Sequence, residues 1–139
     1  GLGDVYKRQI KYNRIMKKVI ATSAAPGAIG PYSQAIDTGT FVYASGQIPI
    51  NPATGEIPEG IEAQTKQSLA NVCAILKEAG LTVDNVVKTT VFLADMGDFV
   101  AMNEVYASVF TAPYPARSAV AVKTLPKNVL VEVEVIALR

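Results

Sequence analysis

ARSAVAVKTLPKNVLVEVEVIAL, residues 116–138, decides the architecture. It contains two runs of alternating residues, and a period of two is the signature of a strand with one buried face. The proline-containing turn Leu125 to Asn128 between them predicts a hairpin. Counting back from the turn sets Thr124 against Val129, Ala121 against Glu132, Ala119 against Glu134 and Arg117 against Ile136. In that register Arg117 shares a face with Glu132 and Glu134, two carboxylates about 7 Å apart along the strand. A slip of one residue would reverse every side chain.

Upstream, KKVIAT and QAIDTGTFVYASGQ read as strands, the latter broken by a turn at Asp37 to Thr40. The loop INPATGEIPEG leads into a helix from Ile61 to Ala79, closed by Gly80. Its apolar stripe is Ile61, Thr65, Leu69, Val72, Leu76 and Ala79. VVKTTVFLAD is a β-rich run with Val87, Val91 and Leu93 on one face and Val86 and Phe92 on the other, which predicts an interior strand. A second helix runs from Asp98 to Phe110, with Asp95 or Asp98 to cap it and Phe99, Met102, Tyr106, Val109 and Phe110 on its stripe. The order ββ(β)αβαββ gives an α+β class, ferredoxin-like, with a mostly antiparallel sheet and both helices on one face. The other face is expected to carry Val129, Val131, Val133 and Val135, covered by another subunit.

The chain has 139 residues, long enough for one core. Residues 1–15 show neither an apolar signal segment nor a helical period, so they are expected to be an extraneous leader before a domain at 16–139. With 13 basic and 12 acidic residues the formal net charge is +1. No basic stripe suggests a nucleic-acid partner, and nothing suggests a membrane. A single cysteine and no histidine exclude an internal disulfide, the usual metal-site spacings and every histidine-based nucleophile pair. The expected setting is cytoplasmic, without metal. Cys73 lies near the helical stripe and reads as a small core residue.

Catalysis in such a chain must use carboxylates, arginine, tyrosine, hydroxyls, backbone or water. An arginine cannot be neutralised by deprotonation, so Arg117 is either a surface residue or a receiver of anions. Glu132 and Glu134 are either a solvated edge or an ion pair with Arg117, or part of a cleft in which Arg117 forks onto a substrate carboxylate while a glutamate handles water. Asn103, on the apolar stripe of the second helix, must find polar partners, either structural or in a site.

AIGPYSQA, YASGQIPINPATGEIPEGIEAQTKQSLANV, VVKTTVFLADMGDFVAMNEVY and PARSAVAVKTLPKNVLVEVEVIAL, in this order and spacing, resemble the RidA (YjgF) family of enamine and imine deaminases. The resemblance runs from about Lys17 to the C-terminus. It implies a chorismate-mutase-like homotrimer with three clefts, each lined by two subunits. It further implies hydrolysis of 2-aminoacrylate, 2-iminopropanoate and 2-iminobutanoate, released by pyridoxal-phosphate enzymes, to 2-oxo acids and ammonia, with no cofactor.

Matched position by position, the resemblance makes Arg117 the carboxylate clamp, assisted by the backbone amide of Ala119, where the family commonly has cysteine. It makes Glu132 the residue that orients or deprotonates water, with Glu134 second in line. Tyr32, Ser45, Gly46 and Asn103 would line the cleft. From the residues alone, Tyr32 could instead plug a loop onto the core, and Ser45 and Gly46 could be a strand bulge. Two other activities remain open, a 2-oxo-acid-binding regulator without turnover and a chaperone-like holdase.

Overall fold

The computed structural model describes residues 1–4 and 17–139. Most of the expected leader, and the proposed domain start at residue 16, lie outside the described residues. The strands are β1 (Lys18–Ile20), β2 (Ala35–Asp37), β3 (Phe41–Gln47), β4 (Val86–Leu93), β5 (Ala116–Ala121) and β6 (Val131–Leu138), and the helices are α1 (Ile61–Glu78) and α2 (Phe99–Val109). They occur in the expected order. Among the described residues no helix is long and apolar enough to cross a membrane.

The helix boundaries follow from local chemistry. Gly80 adopts a left-handed conformation (φ 77°), and the amides of Gly80 and Leu81 return to the carbonyls of Lys77 and Leu76. This closes α1 in a Schellman turn, a geometry that favours glycine. At the start of α2, Asp95 accepts from the Gly97 amide (2.8 Å) and caps a 3₁₀ turn that runs into the helix. Thr65, Leu69, Val72 and Leu76 of α1, and Met102, Tyr106 and Phe110 beside α2, are buried as their spacing predicts.

The sheet order is β1-β2-β3-β6-β4-β5. All pairs are antiparallel except β4 with β5. The expected hairpin between β5 and β6 is therefore incorrect. β4, α2 and β5 form a strand–helix–strand unit, and the return through the helix brings β5 back beside β4 in parallel. β6 instead inserts between β3 and β4, so the turn at Pro126–Asn128 carries the chain past the end of β4.

The faces change with the topology. Val131, Val133 and Val135 lie beneath the helices with Val91 and Leu93, and all are essentially inaccessible. Val129, just before β6, is equally buried. They are the core itself, where burying each such side chain contributes about 1.5–3 kcal/mol. The uncovered face carries Tyr43, Phe92, Val120, Glu132, Glu134 and Ile136 instead. A register shift between Val86 and Lys88 also reverses one expectation for β4: Val86 joins the core and Val87 is exposed.

Buried polar side chains tie loops to this frame. Gln34 accepts from the Thr22 amide and donates to the carbonyls of Thr22, Ala25 and Pro26. Asn71 donates to the carbonyls of Ile48 and Ile50, and Gln64 accepts from the Leu130 amide. Asp37 accepts from Arg139 (2.8 Å) and from the Gly39 amide (2.8 Å), while Arg139 also reaches the Ala79 carbonyl.

Candidate active site

The expected site residues fall into two groups on opposite sides of the sheet. Along one row across the strands, Arg117 is level with Thr89 and Val135, so it lies on the helix side. Along the next kind of row, Glu132 is level with Phe92 and Val120, on the uncovered side. The expectation that Arg117 shares a face with the glutamates within one chain is thus corrected. It depended on pairing β5 with β6, which the intervening β4 prevents.

On the helix side, the Arg117 guanidinium donates through Nη1 to Oδ1 of Asn103 (2.7 Å). It lies 4.8 Å from the centroid of the Tyr106 ring and 5.5 Å from that of Phe99. These rings hold a cation against their electron-rich faces. Among the described residues no carboxylate comes within ion-pair distance of Arg117. Asn103 and Arg117 line a depression of about 380 Å³ with Tyr106, Ala107, Tyr114 and Pro115.

Ala119 lies two residues further along the same edge strand. The Val122 amide donates to Leu93 (2.9 Å), toward β4. Amides alternate in direction along a strand, so those of Arg117 and Ala119 point to the free edge. The amide of Ala119 is available to a ligand beside Arg117 whatever its side chain.

On the uncovered side, β3 bulges: Ala44 pairs with Val135 and Gln47 with Val133, which leaves Ser45 and Gly46 together opposite Glu134. The bulge reading of these residues holds, and the bulge brings Gly46 against Glu132. A Cβ placed on Gly46 would stand 2.6 Å from Oε1 of Glu132, closer than atoms tolerate. Ser45 donates its hydroxyl to the Ser33 carbonyl (2.6 Å), fixing the loop that carries Tyr32. Tyr32 is exposed and does not plug the core; its hydroxyl accepts from the Ile29 amide (3.2 Å).

Tyr32, Ser45 and Glu134 line a depression of about 480 Å³ with Tyr43 and Ile136. Burial is the main cause that pushes the Glu132 carboxyl above the ordinary glutamate value, and the neighbouring Glu134 charge adds to it. Cys73 is partly buried, and that burial pushes its thiol up, consistent with a packing residue.

The sequence did not single out Phe99 and Tyr106 as neighbours of Arg117. The signal was present in part, because Phe99, Asn103 and Tyr106 follow one another at helical spacing on one stripe.

Residues 22–139 match the family described as Endoribonuclease L-PSP. The chain is 54% identical over 127 residues to the 2-iminobutanoate/2-iminopropanoate deaminase of Escherichia coli (strain K12), covering 89% of this chain and 99% of that protein. The chain belongs to the RidA (YjgF) family. A second relative, a RutC family protein from Pyrococcus horikoshii, is 57% identical over 123 residues, covering 88% of this chain and 98% of its own. The crystal structure of E. coli TdcF with bound serine has the same RidA fold, with a TM-score of 0.86 and 52% identity over 88% of this chain and 99% of that one. Of the positions that the resemblance brought forward, Tyr32, Ser45 and Glu134 line the depression on the uncovered side and Asn103 and Arg117 the one on the helix side.

Proposed function

We propose that this RidA family protein hydrolyses small 2-imino acids, 2-iminopropanoate and 2-iminobutanoate among them, to 2-oxo acids and ammonia. The observation that carries the reading is the Arg117 guanidinium, oriented by Asn103 and two aromatic rings yet without a carboxylate partner among the described residues. Such a group is prepared for an incoming carboxylate, which it can take through two parallel hydrogen bonds. The outward amide of Ala119 supplies a further donor.

Anchoring the carboxylate fixes C2 of the substrate. The enamine form tautomerises to the imine, which is protonated on nitrogen, and water then adds to C2 as Glu132 takes its proton. Glu132 returns that proton to the nitrogen of the resulting carbinolamine, ammonia leaves, and the C2 hydroxyl gives its proton through Glu132 to the departing ammonia as it becomes the carbonyl of the 2-oxo acid. A carboxyl with a raised proton affinity suits this exchange. Glu134, on the same face, is the alternative water-handling group. The imines react with water unaided, so positioning and one proton shuttle suffice.

Arg117 and Glu132 flank different faces of the sheet, so the complete cleft requires two copies of the chain, the Arg117 side of one meeting the Glu132 side of the next. A closed ring of three copies, a homotrimer, satisfies this head-to-tail arrangement. The uncovered face, with Tyr43 and Val120 nearly half exposed, supplies apolar surface for it. The proposed setting is the cytoplasm, beside pyridoxal-phosphate-dependent dehydratases that release the imines.

The test couples threonine dehydratase to the purified protein and follows 2-oxobutanoate formation in a buffer free of amine scavengers. The reading requires faster formation with wild type and none with folded Arg117→Ala. An unaccelerated rate with protein that binds 2-oxobutanoate would contradict it and favour a ligand-binding regulator.

A further inference from the structure

We propose that Thr89 and Tyr106 form a brace that orients the Arg117 guanidinium, making both positioning residues for the carboxylate clamp; this rests on the clamp reading above. Thr89 lies in register with Arg117 across the parallel β4–β5 pair, so the strand that fixes the base of the arginine also carries the threonine. The Thr89 hydroxyl is 2.8 Å from the Tyr106 hydroxyl, and either can donate. The Tyr106 ring lies beneath the guanidinium. One side chain on β4 thereby sets the ring that supports the far end of a side chain on β5.

Stability alone gives little reason for this pair. Thr89 is the sole polar side chain on the buried face of β4, among Val86, Val91 and Leu93, and is completely inaccessible. A buried hydroxyl is costly without a partner, whereas replacing both members of a buried hydrogen-bonded pair by apolar groups of the same shape is nearly neutral. Valine with phenylalanine would fill the same space. What that exchange loses is direction, because the hydroxyl bond ties the ring end to one point on the sheet. Asn103 holds only Nη1, so the plane of the guanidinium depends on the two rings against it, of which Tyr106 is the nearer. A fork of two parallel hydrogen bonds to a carboxylate is sensitive to that plane.

The experiment titrates 2-oxobutanoate calorimetrically onto wild type, Thr89→Val, Tyr106→Phe, Thr89→Ser and the double variant Thr89→Val/Tyr106→Phe, with thermal unfolding of each. The brace predicts binding weakened about tenfold in Thr89→Val and in Tyr106→Phe, and binding close to wild type in Thr89→Ser. The double variant discriminates: it unfolds near the wild-type temperature, yet binds as weakly as the single variants. Wild-type affinity in the double variant would overturn the brace and leave the pair a packing feature. A wild type that accelerates imine hydrolysis while Thr89→Val binds normally would overturn the brace alone. A wild type that neither binds the oxo acid nor accelerates hydrolysis would overturn clamp and brace together.

Discussion

Arg117 and Glu132 lie on opposite faces of one sheet, Arg117 level with Thr89 and Glu132 level with Phe92 on the same central strand. Because Thr89 and Phe92 differ by an odd number of positions, their side chains leave β4 in opposite directions. A small imino acid cannot touch both groups of a single chain. On the proposed reading, chemistry and assembly are therefore linked: a monomer would hold either the Arg117 side or the Glu132 side in any one cleft.

Arg117→Lys keeps the charge and loses the planar fork, so deaminase activity falls about a hundredfold while the fold persists. Steady-state rates beside far-ultraviolet circular dichroism check this. Activity within a few-fold of wild type would mean that a point charge is sufficient at this position.

Gly46→Ala places a Cβ where the Glu132 carboxylate now stands. The carboxylate must move by about 1 Å, and a displacement of that size at a reacting group costs about a hundredfold in rate. Thermal unfolding should change little by comparison, since Glu132 is a flexible side chain that can give way. A variant as active as wild type would remove Glu132 from the chemistry and leave Glu134.

The rate should fall on the acid side of a pH profile as Glu132 takes up a proton and ceases to act as a base. Burial and Glu134 together raise its proton affinity, so this limb lies above the ordinary glutamate range. Glu134→Gln removes the neighbouring negative charge, eases ionisation of Glu132 and moves the limb to lower pH. A limb unmoved by Glu134→Gln would contradict the coupling.

Ala119→Cys should leave the rate within about threefold, because the donor offered at this position is the outward backbone amide. A large gain would indicate that a thiol contributes chemistry the present chain lacks.

Stability at low pH should depend on Asp37. The Gly39 amide chiefly, and Arg139, hold its carboxyl below the ordinary aspartate value against the opposing effect of burial. A carboxylate with a depressed folded value contributes stability that is present above its unfolded value and lost as pH falls through the folded one. Arg139→Ala leaves Asp37 and the Ala79 carbonyl without this partner, at a cost of about 1–2 kcal/mol at neutral pH. Urea unfolding at pH 7 and at progressively lower pH tests both statements, and the difference between wild type and variant should narrow in acid.

The helices were legible because their ends and stripes depend on neighbours along the chain: Gly80 for α1, Asp95 for the turn into α2, and the spacing of Leu69, Val72 and Leu76. Strand existence was legible from alternation. Strand partnership was not, because the alternating runs at Arg117 and Glu132 suit an antiparallel hairpin locally, whereas their actual neighbours are set by α2 and by the insertion of β6. The helix between β4 and β5 was the available clue to a parallel pair. For the site, the family likeness brought forward Tyr32, Ser45, Gly46, Asn103, Arg117 and Glu132, but not their division between two faces. Thr89 and Tyr106 escaped notice because each fits its core stripe equally well as a packing residue.

The most direct measurement mixes Arg117→Ala with Glu132→Ala, each inactive alone, after unfolding and joint refolding, and follows 2-oxobutanoate release in the coupled dehydratase assay. If imine hydrolysis occurs between Arg117 of one copy and Glu132 of another, an equal mixture regains about one quarter of the wild-type rate, the chance that a cleft draws one intact group from each copy. A mixture no faster than its parents, in hybrid assemblies verified by native mass spectrometry, would contradict the shared site.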